Sequence, residues 1–225
     1  VQALQGIRRD LGVRQEQVDA VLPDDLKKMV EAMPKQEKHR LRNLRNRALL
    51  TLGLAGGFRR SELVSINFQD ITRTEDGYRI LLRRSKTDQE GEGREIGIPF
   101  GSTNLTCPVR ALDRWILVAK FKELLKEQED TLPLPLLCGL SGDGKYILHS
   151  HRLNDRTVAR TVQRLAKNAG LVGEHYAGHS LRAGLVTAAA RAGKSMDSIQ
   201  AQTGHKSLNM IMKYIRREGI FDNNA

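Results

Sequence analysis

Cysteine is nearly missing from this 225-residue chain: Cys107 and Cys138 are the only two, and neither sits in a CxxC pair or beside a histidine cluster. A disulfide framework and a cysteine-based zinc site are thereby excluded. No apolar run approaches the roughly 20 residues that span a bilayer, and the amino end, VQALQGIRRDLG, is polar rather than signal-like. We therefore expect a protein without a membrane partner, in a reducing cytoplasm. Aromatic residues make up only 4% of the chain, too few for the stacking platforms that hold single-stranded nucleic acid. Neither a GxxxxGK[ST] phosphate loop nor a carboxylate cluster suited to Mg²⁺ is present, so no cofactor is expected. Residue 1 is Val rather than Met, which leads us to expect an amino-terminal region outside this chain.

What the chain does have is positive charge. Lys and Arg number 37 against 26 acidic residues, a formal charge of +11, which favours a polyanion such as duplex DNA. The length is enough for one sizeable core. Residues 1–22 read as the end of an amino-terminal DNA-binding domain plus a linker, and residues 23–225 as one α+β, mainly helical domain. Pro23 with Asp24 and Asp25 starts a helix that should stop at Pro34. Leu41, Leu44, Ala48, Leu49 and Leu52 recur at helical spacing until Gly56 and Gly57. RRSELVSI begins a short helix, and 78–84 with 94–100 read as a β-hairpin around the polar loop SKTDQEGEG. Helices are expected at 109–128, 154–168, 180–192, 195–203 and 207–217, giving a helical domain with one small antiparallel sheet.

The chemistry-bearing residues are individually ordinary. His179 and Arg182 in GHSLR are three apart at a helix start, where free amides favour an anion, yet HxxR also arises by chance. Tyr214, nine residues after His205, sits on an amphipathic helix where a tyrosine is commonly core-edge packing. Arg59 and Glu62 have the spacing of a simple helix-surface ion pair, and Lys86 that of a solvated loop lysine. Order is what separates them from chance: Arg59 with Glu62, the hairpin Lys86, His179 with Arg182, His205, then Tyr214.

That order resembles the tyrosine recombinase, or phage integrase, family over about residues 1–217, with ITRTEDG, SKT, RAGKSMDSI and LNMIMKYIR closest to its Cre-like members. The resemblance implies the catalytic-domain fold of that family and metal- and ATP-independent cleavage and rejoining of DNA through a 3′-phosphotyrosine. Arg59 and Arg182 would stabilise charge on the non-bridging phosphate oxygens, as planar guanidinium forks do well. His179 would assist the Tyr214 nucleophile, Lys86 would protonate the leaving 5′ oxygen, and His205 would donate to the phosphate. Glu62 would hold Arg59 in place. The resemblance also implies a homotetramer on two double-stranded DNA sites, monomeric or dimeric when free, associated with the nucleoid.

Arg152, Arg156, Arg160 and Arg164 recur every four residues and read as a basic helical stripe. Arg156 and Arg160 are candidates for base and groove contacts, Arg42 and Arg45 for phosphate contacts. Other readings carry less. A type IB topoisomerase or telomere resolvase shares the chemistry, and a regulator that has lost catalysis would share the DNA binding. A serine hydrolase centred on Ser180 fails because Arg182 replaces the second glycine of GxSxG. A metal pair of His175 and His179 lacks the glutamate of HExxH.

Overall fold

The computed structural model describes residues 18–83, 93–127 and 132–218. Helix α1 (Pro23–Glu31) starts at its proline and presents Leu26, Met29 and Val30 to the core. Helix α2 (Arg40–Gly56) is the central rod: Ala48, Leu49, Leu50 and Leu52 are fully buried along it. A short helix α3 (Arg60–Ser65) follows the glycine break. Strands β1 (Ile71–Thr74), β2 (Gly77–Leu82) and β3 (Arg94–Pro99) form an antiparallel sheet in that order. Tyr78, Ile80 and Leu82 face inward while Arg79 and Leu81 face out, the alternation of a half-covered sheet.

Helices α4 (Pro108–Ala119) and α5 (Phe121–Glu127) stand where the sequence predicts one helix. The break is at Lys120, the one non-glycine residue with positive φ (53°) among the described residues. Its neighbour Phe121 is fully buried and stacks on Phe68 at 5.0 Å. Burial of that aromatic ring offsets the strain of the left-handed turn. A second sheet, which periodicity did not reveal, pairs β4 (Cys138–Leu140) with β5 (Ile147–Arg152). Strand β4 has only three residues, too few for a period-2 pattern to register. The domain closes with α6 (Asp155–Asn168), α7 (Ser180–Arg191), α8 (Met196–Thr203) and α9 (Leu208–Glu218). No described helix is long and apolar enough to cross a membrane.

Trp115 is fully buried on α4 and its indole N–H donates to the Leu136 carbonyl at 2.7 Å. This bond fixes the proline-broken crossing against the core. Residues 18–22, expected as linker, lie against α7: Val21 is fully buried and its N–H donates to the Ser180 carbonyl at 2.9 Å. Gly184 makes that approach possible, since a Cβ there would fall 2.0 Å from the Val21 carbonyl oxygen. Gly184→Ala should therefore destabilise the domain by about 3 kcal/mol, the upper end for overpacking, read as a lower urea midpoint. A midpoint equal to the parent's would mean that the Val21 segment gives way freely.

Candidate active site

Three chain reversals bring the candidate residues together. The first follows α2, where Arg59 becomes the residue preceding α3 with extended backbone (φ −65°, ψ 151°). Its backbone N–H donates to Glu62 Oε2 at 2.9 Å and its Nη1 to Glu62 Oε1 at 2.5 Å. Glu62 is only 3% exposed and the Arg59 side chain 16%, so this is a largely covered pair rather than the helix-surface pair its spacing equally allows. Arg59 Nη2 reaches the Gly204 carbonyl at 3.4 Å.

The second reversal leads into α7. His179 precedes the first turn and Arg182 lies within it. Arg182 is 2% exposed, and its Nη1 donates to the carbonyls of Gly57 at 2.7 Å and Thr203 at 2.6 Å. Its Nη2 is buried and has no hydrogen-bond partner among the described residues. Burial, and then the neighbouring Arg59 cation, push the Arg182 pKa down to about 10, with Glu62 and Tyr214 opposing. The site is thus a cation held under stress, with a donor that an incoming anion would satisfy.

The third reversal is Gly204, left-handed at φ 64°, which ends α8 and delivers His205. His205 is 4% exposed. The Thr203 hydroxyl donates to the Ile199 carbonyl at 2.6 Å and lies 2.7 Å from His205 Nδ1. With its one proton used, the hydroxyl accepts, which assigns Nδ1–H to His205 and leaves Nε2 with a lone pair. Burial, followed by Arg182, Arg59 and Arg94, pushes the His205 pKa down to about 4. His205 becomes a donor at Nε2 by taking up a proton, which a bound phosphate would favour. The Tyr214 ring on α9 lies 6.0 Å from the His205 ring, centroid to centroid, and is half-buried against Val186, Ile199 and Ile211. His179 reaches solvent at the rim; desolvation of part of its ring, then Arg60, Arg182 and Arg59, lowers its pKa. A neutral imidazole there can accept a proton.

The depressed His205 pKa has a stability consequence. Below the ordinary value of 6.5 the unfolded chain takes up a proton that the folded site refuses, so stability falls as pH drops from 6.5 toward 4. The loss assigned to this residue is about 3 kcal/mol. His205→Gln should flatten that part of the pH profile in chemical denaturation; an unchanged slope would remove His205 as its cause.

Lys86 lies outside the described residues. Arg156 and Arg160 are exposed on α6, whose first turn is capped by Asn154 Oδ1 accepting from the Arg156 N–H at 2.8 Å. Arg42 is partly exposed and close enough to Arg164 to lower its pKa, after burial. Arg45 corrects the expected phosphate contact: it is 6% exposed, with Nη1 donating to the Cys138 carbonyl at 3.1 Å. The irregular register at Cys138 and Gly139 leaves that carbonyl available, and the arginine fills the need from inside. Arg152 also leaves the stripe. It ends β5 and donates to the Val64 carbonyl at 2.6 Å, so the helical stripe starts at Arg156. Sequence reading missed Thr203 and Arg94 and took Gly57 for a helix stop alone; of the two missed residues only Thr203, in the TG step before His205, carried a local signal, that of a helix end.

Buried Arg182 thus lies close to part-buried Arg59, buried His205 and the half-buried Tyr214 of the last described helix, with His179 at the rim. The chain belongs to the phage integrase family, whose profile matches residues 20–219. It is 35% identical over 229 aligned residues to an integrase/recombinase XerD homologue of Selenomonas ruminantium, covering 99% of this chain and 61% of that protein. Identity to the recombinase Cre of Escherichia phage P1 is 27% over 217 residues, covering 92% and 59%. The chain thus spans about three fifths of these relatives. In fold it is similar to the XerH site-specific recombinase bound to a palindromic difH substrate (TM-score 0.62, 22% identity, 94% of this chain and 53% of that one). A lambda integrase dimer bound to a COC′ core site gives a TM-score of 0.61 at 19% identity, covering 92% and 50%.

Proposed function

We propose that residues 23–225 are the catalytic domain of a site-specific recombinase that cuts and rejoins duplex DNA through Tyr214. The single observation that carries this reading is the buried, unpartnered Nη2 of Arg182, set beside Arg59, His205 and Tyr214. A buried donor without a partner is costly, and a phosphodiester oxygen is the acceptor that this cationic surrounding selects.

In the proposed step the Tyr214 phenol oxygen attacks the phosphorus, the phenol proton passes to neutral His179, and the bond to the 5′ oxygen breaks. Lys86 supplies the proton to that oxygen, a role proposed from its place in the family order. Arg59, Arg182 and protonated His205 hold the charge that grows on the non-bridging oxygens. One phosphodiester replaces another, so religation runs the same step backwards without ATP. Glu62 keeps Arg59 aimed. The exposed Arg156 and Arg160, with Arg42, provide the surface for double-stranded DNA, and affinity should fall steeply with salt. Residues 1–22 would join a preceding DNA-binding domain that completes a clamp, and four protomers on two sites would perform the exchange, the free protein being monomeric or dimeric.

Strand exchange between two duplexes, scored against relaxation of a supercoiled plasmid, tests the reading. Covalent cleavage with exchange is expected. Relaxation without exchange would favour a type IB topoisomerase-like enzyme, and DNA binding with no covalent product would favour an inactive regulator.

A further inference from the structure

Arg94 opens strand β3, opposite Leu82 in β2. Nothing in the order of catalytic residues calls for it, and a strand arginine on this sheet is ordinarily solvated: Arg79 is 60% exposed and pairs loosely with Glu95 at 3.7 Å. Arg94 behaves differently. Its side chain is 22% exposed, Nη1 donates to the carbonyls of Ala201 at 3.2 Å and Gln202 at 3.0 Å, and Nη2 lies 3.8 Å from Glu62 Oε2. That Nη2 is buried and has no hydrogen-bond partner among the described residues. The guanidinium also packs on Gly204, where an added Cβ would fall 2.8 Å from Cζ and Nη1.

The carboxylate of Glu62 is therefore flanked by two arginines, Arg59 on Oε1 and Arg94 toward Oε2. The second of these also holds the carbonyl end of α8, one step before Thr203, Gly204 and His205. A cation suits that end because the last carbonyls of a helix are unsatisfied and carry its negative pole. From these contacts we infer that Arg94 is a positioning residue of the active site, fixing Glu62, and through it Arg59, relative to the turn that carries His205. The inference rests on the proposed phosphotyrosine chemistry for its catalytic consequence, but the placement itself stands on the contacts. Lysine could meet Glu62 or the α8 carbonyls, but its single ammonium cannot span both.

The test uses the whole chain and a pool of nicked duplexes of randomised sequence, with covalent adduct measured at saturating DNA. Arg94→Gln should slow adduct formation on the order of 100-fold, the scale for misplacing a catalytic group, with duplex affinity little changed; Arg94→Lys should recover part of the rate. An NMR titration of His205 in the free protein supplies a second readout, independent of DNA. Its pKa should rise in Arg94→Gln, because one of the cations depressing it is gone. Should Arg94→Gln fail to fold, the equally uncharged Arg94→Met carries both measurements. Wild-type cleavage and an unmoved His205 titration in a folded variant would overturn the inference. If the parent forms no adduct at all, the proposed function fails, while the His205 titration still decides whether Arg94 belongs to the site.

Discussion

Arg182→Met is expected to lower the rate of covalent cleavage by about a thousandfold while changing folding stability by no more than about 2 kcal/mol. The two effects separate because the apo site carries Arg182 at a cost. Its pKa is pushed down to about 10 by burial and by Arg59, so the folded protein disfavours the charged form relative to water. Removing the charge relieves that penalty and leaves the carbonyls of Gly57 and Thr203 without their donor. These opposing terms are each a few kcal/mol and nearly offset. In the proposed transition state nothing would offset the loss: the non-bridging oxygens would gain charge with no cation at position 182 to face them. Single-turnover cleavage and urea denaturation on the same variant check both halves. A variant that unfolds as cleavage is lost would make Arg182 a structural residue.

Tyr214→Phe should abolish the covalent adduct entirely while leaving DNA affinity and thermal stability near those of the parent. In the proposed step the hydroxyl is the atom that bonds to phosphorus, so its removal would leave no residual chemistry at this position. The ring itself packs against Val186, Ile199 and Ile211 and beside His205, and phenylalanine preserves that packing. Adduct formation by the variant on nicked DNA, followed on denaturing gels, gives the answer. An undiminished adduct would move the nucleophile elsewhere.

Much of this was legible before the fold. The leucine spacing of α2 and the glycine stop after it are local properties, and Arg59, Glu62, His179 and Arg182 sit at helix starts that glycine and polar residues announce. The pairing of Arg59 with Glu62 follows from three-residue spacing, but its burial does not, because burial depends on α8 arriving from about 140 residues away. Arg45 shows the same limit. Its place in a run of arginines suggested the surface, yet helical rotation turns it inward beneath Arg42 and Arg164, toward the Cys138 carbonyl. Arg94 was silent for the complementary reason: a strand arginine acquires its meaning only from the carbonyls of α8, more than a hundred positions on. Strand β4 and the Lys120 break were set by tertiary burial, which overrides local preference.

Tyr214 and the guanidinium groups of Arg59 and Arg182 are proposed to act on one phosphorus. Protease digestion and mass spectrometry of the adduct trapped on nicked duplex, after nuclease trimming, reads this directly. The expected result is a nucleotide bonded through a 3′-phosphate to the peptide that contains Tyr214, absent when Arg182 is methionine. A nucleotide on any other residue, or an adduct that forms equally well without Arg182, would contradict it.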